Sequence, residues 1–232
     1  MSARLLVGTV AFHCYAALLG VRLPAAAMRT EDLDVAQFHG IAVSVDDKAE
    51  PILDGLREID PTFTPVPSLA SPVLSNAVRN ARGYRVELLT PHQGSDDRGD
   101  RLVSLPTMPG LAAQPLRFLD FLIRHEVRTA VLHGAGIAVN VPAPERYAVH
   151  KLIVATERRT DSRAKALKDV AQASALIQAM VQVRQGDLLR DAWVEAYERG
   201  PSWRKALDDG RRRLDHDGAT ALAVATREPP TE

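Results

Sequence analysis

Apolar positions along this chain fall into short runs and alternations in the first half and into helical spacings in the second. Residues 4–7 read as a short buried strand, with Gly8-Thr9 as the turn out of it. The spacing then predicts a helix over 10–19, with Gly20 as its C-terminal stop, and a loop over 21–29 that contains Pro24. A second strand is expected at 33–38, which 41–45 either extends or follows. Ile52, Leu56 and Ile59 recur at helical spacing within a helix expected at 49–59. Pro61, Pro65, Pro67 and Pro72 make the next segment irregular and rule it out as a central strand. Residues 84–89 give a third strand, and the polar stretch 94–101 reads as a mobile loop. Residues 116–123 fit either a strand or a helix. Residues 127–132 and 137–141 flank His133-Gly134-Ala135-Gly136 as a hairpin.

After Val141 the pattern changes. Pro144 suits the first position of a helix over 145–158. Thr160 or Asp161 suits the cap of a second long helix that runs to about residue 185. Further helices are expected at 187–198 and 202–214, separated by Gly200-Pro201. The expected organisation is an α/β (α+β) domain over 1–142, a helical domain over 143–226 and a disordered tail over 227–232. No internal repeat or low-complexity block interrupts it.

Composition narrows the picture. The chain has 232 residues, 46% hydrophobic and 25% charged, which suits one large or two small globular domains. Its 29 basic and 29 acidic side chains cancel, so any site for a charged ligand must be local. The single cysteine, Cys14, allows no intrachain disulfide and fits inert packing in a reducing compartment. The apolar N-terminus resembles a signal peptide. However, its basic region is thin, Gly8-Thr9 and His13 break the run, and Arg22 follows soon after. A cytoplasmic protein without membrane association is the expectation.

The candidate chemistry lies in Thr30-Glu31-Asp32-Leu33-Asp34-Val35. On a strand, Asp32 and Asp34 share a face, about 7 Å apart along the chain, while Leu33 and Val35 face the other way. Two carboxylates on one face suit divalent cations that also take substrate phosphates. Glu87 is an acid inside an otherwise apolar strand and is costly to bury unless it binds metal or pairs. Glu87 therefore reads as a third ligand or proton acceptor, or else as the partner of Arg85 or Arg82. For Asp32 and Asp34 the plainer alternative is the solvent face of an edge strand. Gly8 permits close backbone approach, Thr9 offers a hydroxyl, and the following helix N-terminus offers N–H groups to phosphate. A simple tight turn is the alternative there.

These residues resemble the DNA polymerase β superfamily of nucleotidyltransferases, through Val7-Gly8-Thr9, Arg29-Thr30-Glu31-Asp32-Leu33-Asp34 and a later strand carrying an acid. A poorly characterised bacterial group of nucleotidyltransferase-fold proteins is more similar still. That likeness is carried by residues 8–38, Arg85-Val86-Glu87-Leu88-Leu89-Thr90-Pro91, residues 144–152 and Lys165-Ala166-Leu167-Lys168-Asp169. The Arg-Thr-x-Asp-x-Asp element is also similar to AbiE-type toxin relatives. The resemblance implies a nucleotidyltransferase-like mixed sheet with flanking helices. It also implies Mg²⁺ or Mn²⁺ on Asp32, Asp34 and Glu87, and phosphate contacts from Gly8, Thr9, Arg29 and Lys151. Thr9 replaces the usual Ser, Glu87 replaces a common Asp, and the Thr9-to-Asp32 spacing is longer than in compact members. Relatives in the closer group carry a helical region before the first strand, so a short N-terminus or a misassigned start is expected here.

In the helical half, Arg146 and His150 are i,i+4 neighbours with Lys151 adjacent. Lys165, Lys168, Asp169 and Gln172 fall near one face of the next helix, where a solvated surface and an Asp169–Lys165 pair are the plainer readings. His150 reads as a structural hydrogen-bonder or a ligand. The other histidines show no zinc spacing, and Gly134-Ala135-Gly136 lacks the rest of a nucleotide loop. Arg211-Arg212-Arg213 reads as a solvated helix face or an RNA contact. The leading expectation is a metal-dependent nucleotidyltransferase that moves an NMP group from an NTP to an acceptor hydroxyl on RNA, protein or a small molecule. The alternatives are a non-catalytic binding or regulatory module, such as a toxin–antitoxin or phage-defence component, and a metal-dependent phosphodiesterase.

Overall fold

The computed structural model describes residues 4–24, 32–38, 52–68, 71, 73–92, 101–105, 110–131, 133–158 and 162–227. The expectations for Arg29, the 41–45 strand, the 94–100 loop and the tail from 228 lie outside the described residues. The chain forms two compact units: Met1–Ala11 with Arg29–Val141, and Phe12–Met28 with Pro142–Glu232.

The first unit has the expected mixed α/β character. Its sheet has the order β1 (Leu5–Val7), β2 (Asp32–Ala36), β5 (Arg85–Pro91), β4 (Ala77–Arg79), β3 (Thr64–Pro65). β2 and β5 are parallel, whereas β1 and β4 run antiparallel to their neighbours. β7 (Ala112–Leu116) pairs in parallel with the far end of β5, and β6 (Val103–Ser104) pairs with β7. β5 is therefore the central strand, flanked by β2 and by β4 over its first half and by β7 at its end. Val86 and Leu88 of β5 meet Val35, Phe63, Val78, Leu105, Leu111 and Ala113 in the core on one side of the sheet.

The helix α2 (Ile52–Ile59) lays Ile52, Leu53 and Leu56 on that core. Ile59, expected on the same stripe, is 83% exposed because it ends the helix beyond the core's reach. The proline-rich segment still contributes the short strand β3, and β4 follows it. Both were missed because strands of two or three residues leave no periodicity to detect. The ambiguous stretch 116–123 resolves into the end of β7 and a one-turn helix α3 (Leu119–Ile123). The hairpin forms as expected from β8 (Glu126–Val131) and β9 (Ile137–Pro142), which pair in a separate two-stranded sheet. Gly134 and Gly136 take left-handed backbone in its turn, at φ 57° and 89°.

The second unit is helical. α1 (Gly8–Leu19) contributes Phe12 and Tyr15, both packed on Tyr147 of α4 (Pro144–Glu157) at ring-centroid distances of 6.2 and 5.2 Å. The Tyr15 hydroxyl donates to the Pro142 carbonyl at 2.8 Å. α4 is buried on nearly every side, against α5 (Arg163–Gln182), α6 (Gly186–Glu198) and α7 (Pro201–Arg211). The helix expected at 202–214 ends at Arg211, and a further helix, α8 (His216–Ala225), packs on α5 and α6. Asp215 caps α8 by accepting from the Gly218 N–H at 2.9 Å, a start signal the sequence reading passed over. Among the described residues, no helix is long and apolar enough to cross a membrane.

Candidate active site

Strand register assembles the candidate site. Pairing of β2 with β5 sets Asp32 opposite Arg85 and Asp34 opposite Glu87. Residues directly paired across strands share a face, as do alternate residues along one strand. Asp32, Asp34, Arg85 and Glu87 therefore occupy one face, while Leu33, Val35, Val86 and Leu88 turn into the core. β4 adds Ala77 beside Glu87 and Arg79 beside Arg85, and β1 places Val7 opposite Asp34. β2 lies between β1 and β5, and Asp34 pairs on both sides, so the edge-strand alternative does not hold for it, whereas Asp32 pairs with β5 alone.

Val7 leads directly into Gly8, which opens α1; Gly8 and Thr9 form its first turn rather than a loop ahead of it. Gly8 has φ 63°, and a Cβ there would sit 2.1 Å from Asp34 Oδ2 and 3.1 Å from its Cγ. Only glycine meets both conditions, the left-handed backbone and the missing volume. The Asp34 carboxylate consequently lies at the positive end of α1, a favourable place for negative charge. Thr9 is buried in the same turn.

Glu87 leans along its own strand, with Oε1 3.0 Å from Arg85 Nε. The contact is an ion pair outside hydrogen-bond geometry, and among the described residues Arg85 Nε has no hydrogen-bond partner. Among the described residues, no group of three or more His, Cys, Asp or Glu side chains gathers closely enough to hold a metal ion. The structure thus brings Asp32, Asp34 and Glu87 to one face without drawing them to one point. The donor chemistry still fits a hard cation: the two aspartates are oxygen donors on one face. Tyr84, which sequence reasoning did not single out, belongs to this neighbourhood. Its phenol is pushed up by burial and then by the charges of Asp32 and Asp34. An aromatic just before a strand carries no motif, so no sequence signal marked it.

Lys151, Arg158 and Arg146 are paired within the helical unit. Lys151 Nζ lies 2.5 Å from Asp169 Oδ1, and Arg158 Nε lies 3.0 Å from Asp169 Oδ2. Asp169 thus pairs with residues of α4 and its end, not with Lys165. Arg146 is buried against Glu195, which Arg199 also holds at 2.9 Å. Tyr147 donates to Gln172 Oε1 at 2.9 Å. His150, buried beside Lys151, is lowered to about 3 by desolvation and then by the Lys151 charge, so it stays neutral. Of the three consecutive arginines, Arg212 pairs with Asp209, and Arg213 Nη1 donates to the Ala155 carbonyl at 2.6 Å.

A family profile described as nucleotidyltransferase matches residues 2–198. The chain belongs to this nucleotidyltransferase family. A solved structure of an antigenic nucleotidyltransferase-like protein from Paracoccidioides brasiliensis is similar at 16% identity and a TM-score of 0.40, over 89% of this chain and 84% of that one. No curated protein matches the chain. The matched residues include the β1–α1 turn, both aspartates, Glu87 and α4 to α6.

Proposed function

We propose that this nucleotidyltransferase moves an NMP group from an NTP to an acceptor hydroxyl with the help of Mg²⁺ or Mn²⁺. The observation that carries the reading is the shared face of Asp32, Asp34 and Glu87, with Gly8 opened to make room for Asp34. In this reading Asp32 and Asp34 hold the cation. When bound, it neutralises the triphosphate and the developing charge on the transferred phosphoryl group. The N–H groups of the first turn of α1 and the Thr9 hydroxyl receive phosphate oxygens at the helix's positive end. Glu87 stands on the adjacent strand to take the proton from the attacking hydroxyl as pyrophosphate leaves. Arg29 is a further phosphate-directed cation of this reading, whereas Lys151, whose charge is already held by Asp169, is assigned no phosphate. Little covalent chemistry falls to the protein, whose task is positioning and charge stabilisation.

Incubation with labelled NTPs, Mg²⁺ and an RNA pool, with protein and aminoglycoside acceptors in parallel, tests this. Transfer of label in the wild type but not in Asp32→Asn/Asp34→Asn supports the enzyme. A second reading is a non-catalytic binding or regulatory module, of the kind a toxin–antitoxin or phage-defence system uses. The pairing of Glu87 with Arg85 is the observation in its favour. It expects tight NTP binding with no label transferred to any acceptor.

A further inference from the structure

We infer that Arg85 is the resident counter-ion of the carboxylate face: it holds Glu87 away from the cation site, and binding of a divalent cation displaces it. The inference rests on the metal-dependent reading above. Register puts Arg85 directly opposite Asp32 and two residues from Glu87 on its own strand, on the face that carries Asp32, Asp34 and Glu87, and its Nε lies 3.0 Å from Glu87 Oε1. A face carrying Asp32, Asp34 and Glu87 with no cation nearby would be destabilised by like-charge repulsion. Arg79, paired next to Arg85 in register, adds a second positive charge on the outer side.

Three details separate a displaceable counter-ion from a structural salt bridge. The pair is half exposed, with side-chain exposures of 38% for Arg85 and 30% for Glu87, so it contributes little to stability. Its geometry is poor, since Arg85 Nε sits 3.0 Å from Glu87 yet has no hydrogen-bond partner among the described residues. Finally, Glu87 reaches Arg85 along its own strand while Asp34 faces it directly across the sheet. Arg85 is on this account a positioning residue that sets how readily the site takes a cation.

The test is Mn²⁺ binding, read by loss of the free-ion signal in electron paramagnetic resonance, without nucleotide or turnover. Wild type, Arg85→Gln, Arg85→Lys and Asp34→Asn are compared, with thermal melts to show that each is folded. Arg85→Met, which keeps the aliphatic stem, replaces the Gln variant if that one does not fold. A single nearby charge moves an ionisation equilibrium by about one to three powers of ten. Arg85→Gln is therefore expected to bind Mn²⁺ about tenfold more tightly than wild type, Arg85→Lys to stay near wild type, and Asp34→Asn to lose binding. Unchanged or weaker binding in Arg85→Gln, with binding still lost in Asp34→Asn, overturns the counter-ion role and leaves the metal reading standing. Absence of Asp34-dependent Mn²⁺ binding in every variant overturns both.

Discussion

Asp34 occupies the space that a side chain on Gly8 would need: a Cβ at Gly8 would lie 2.1 Å from Asp34 Oδ2. The turn from β1 into α1 and the second aspartate of the pair are thus one structural unit. Gly8→Ala is expected to destabilise the protein through left-handed backbone strain of about 1–3 kcal/mol, with the clash adding to it. The same variant should lose Mg²⁺–NTP binding, because the carboxylate must move. Thermal melts and calorimetry of the variant check both.

Asp169 answers two cations, Lys151 at 2.5 Å and Arg158 at 3.0 Å, in a buried setting. Removing the acid strands both charges, whereas removing Lys151 leaves Asp169 paired with Arg158. Asp169→Asn is therefore expected to cost about 3–5 kcal/mol, the usual cost of breaking a buried pair, and Lys151→Met clearly less. Urea unfolding of the two variants gives the comparison. Equal costs would mean that Arg158 does not share the charge.

His150 gives the helical unit an acid-sensitive element. Its folded-state value is lowered to about 3 from the ordinary 6.5, chiefly by desolvation and then by Lys151. A depressed value contributes stability that is fully present above the unfolded value and is lost as pH falls toward the folded one. Stability should therefore decline from about pH 6.5 downward, by roughly 1 kcal/mol per pH unit from this group. His150→Gln should flatten the slope between pH 6.5 and 5. Unfolding free energies measured across that range for both proteins check it.

Gly210 is where α7 crosses α4, and an added Cβ would meet the Leu152 carbonyl oxygen at 2.6 Å and its Cβ at 2.9 Å. Both are fixed parts of a buried helix, so the helices must part. Gly210→Ala should lower stability by about 1–3 kcal/mol, the range for overpacking, despite alanine's better helix propensity. A raised melting temperature would contradict the close approach.

The site was partly legible in the sequence because its logic is local. Asp32 and Asp34 share a face by strand alternation alone, and Gly8-Thr9 directly follows the strand that pairs with Asp34. The register that sets Asp34 opposite Glu87 was not legible, since a parallel pairing between segments more than fifty residues apart leaves no local trace. Tyr84 was invisible for the same reason. In the helical half, Lys151 and Asp169 were each marked, but spacing paired Asp169 with Lys165 on its own helix. The tertiary contact with Lys151 prevails because it is buried and the i,i+4 alternative is exposed. α8 was missed although Asp215 is a good cap, because the apolar spacing after it is weak.

The most direct measurement is calorimetric titration of Mg²⁺–NTP into wild type and Asp32→Asn/Asp34→Asn, with melting curves to show that both are folded. Binding in the wild type that is abolished in the double variant is the predicted result. Equal affinity in the two proteins would contradict the assignment of Asp32 and Asp34 as the cation site.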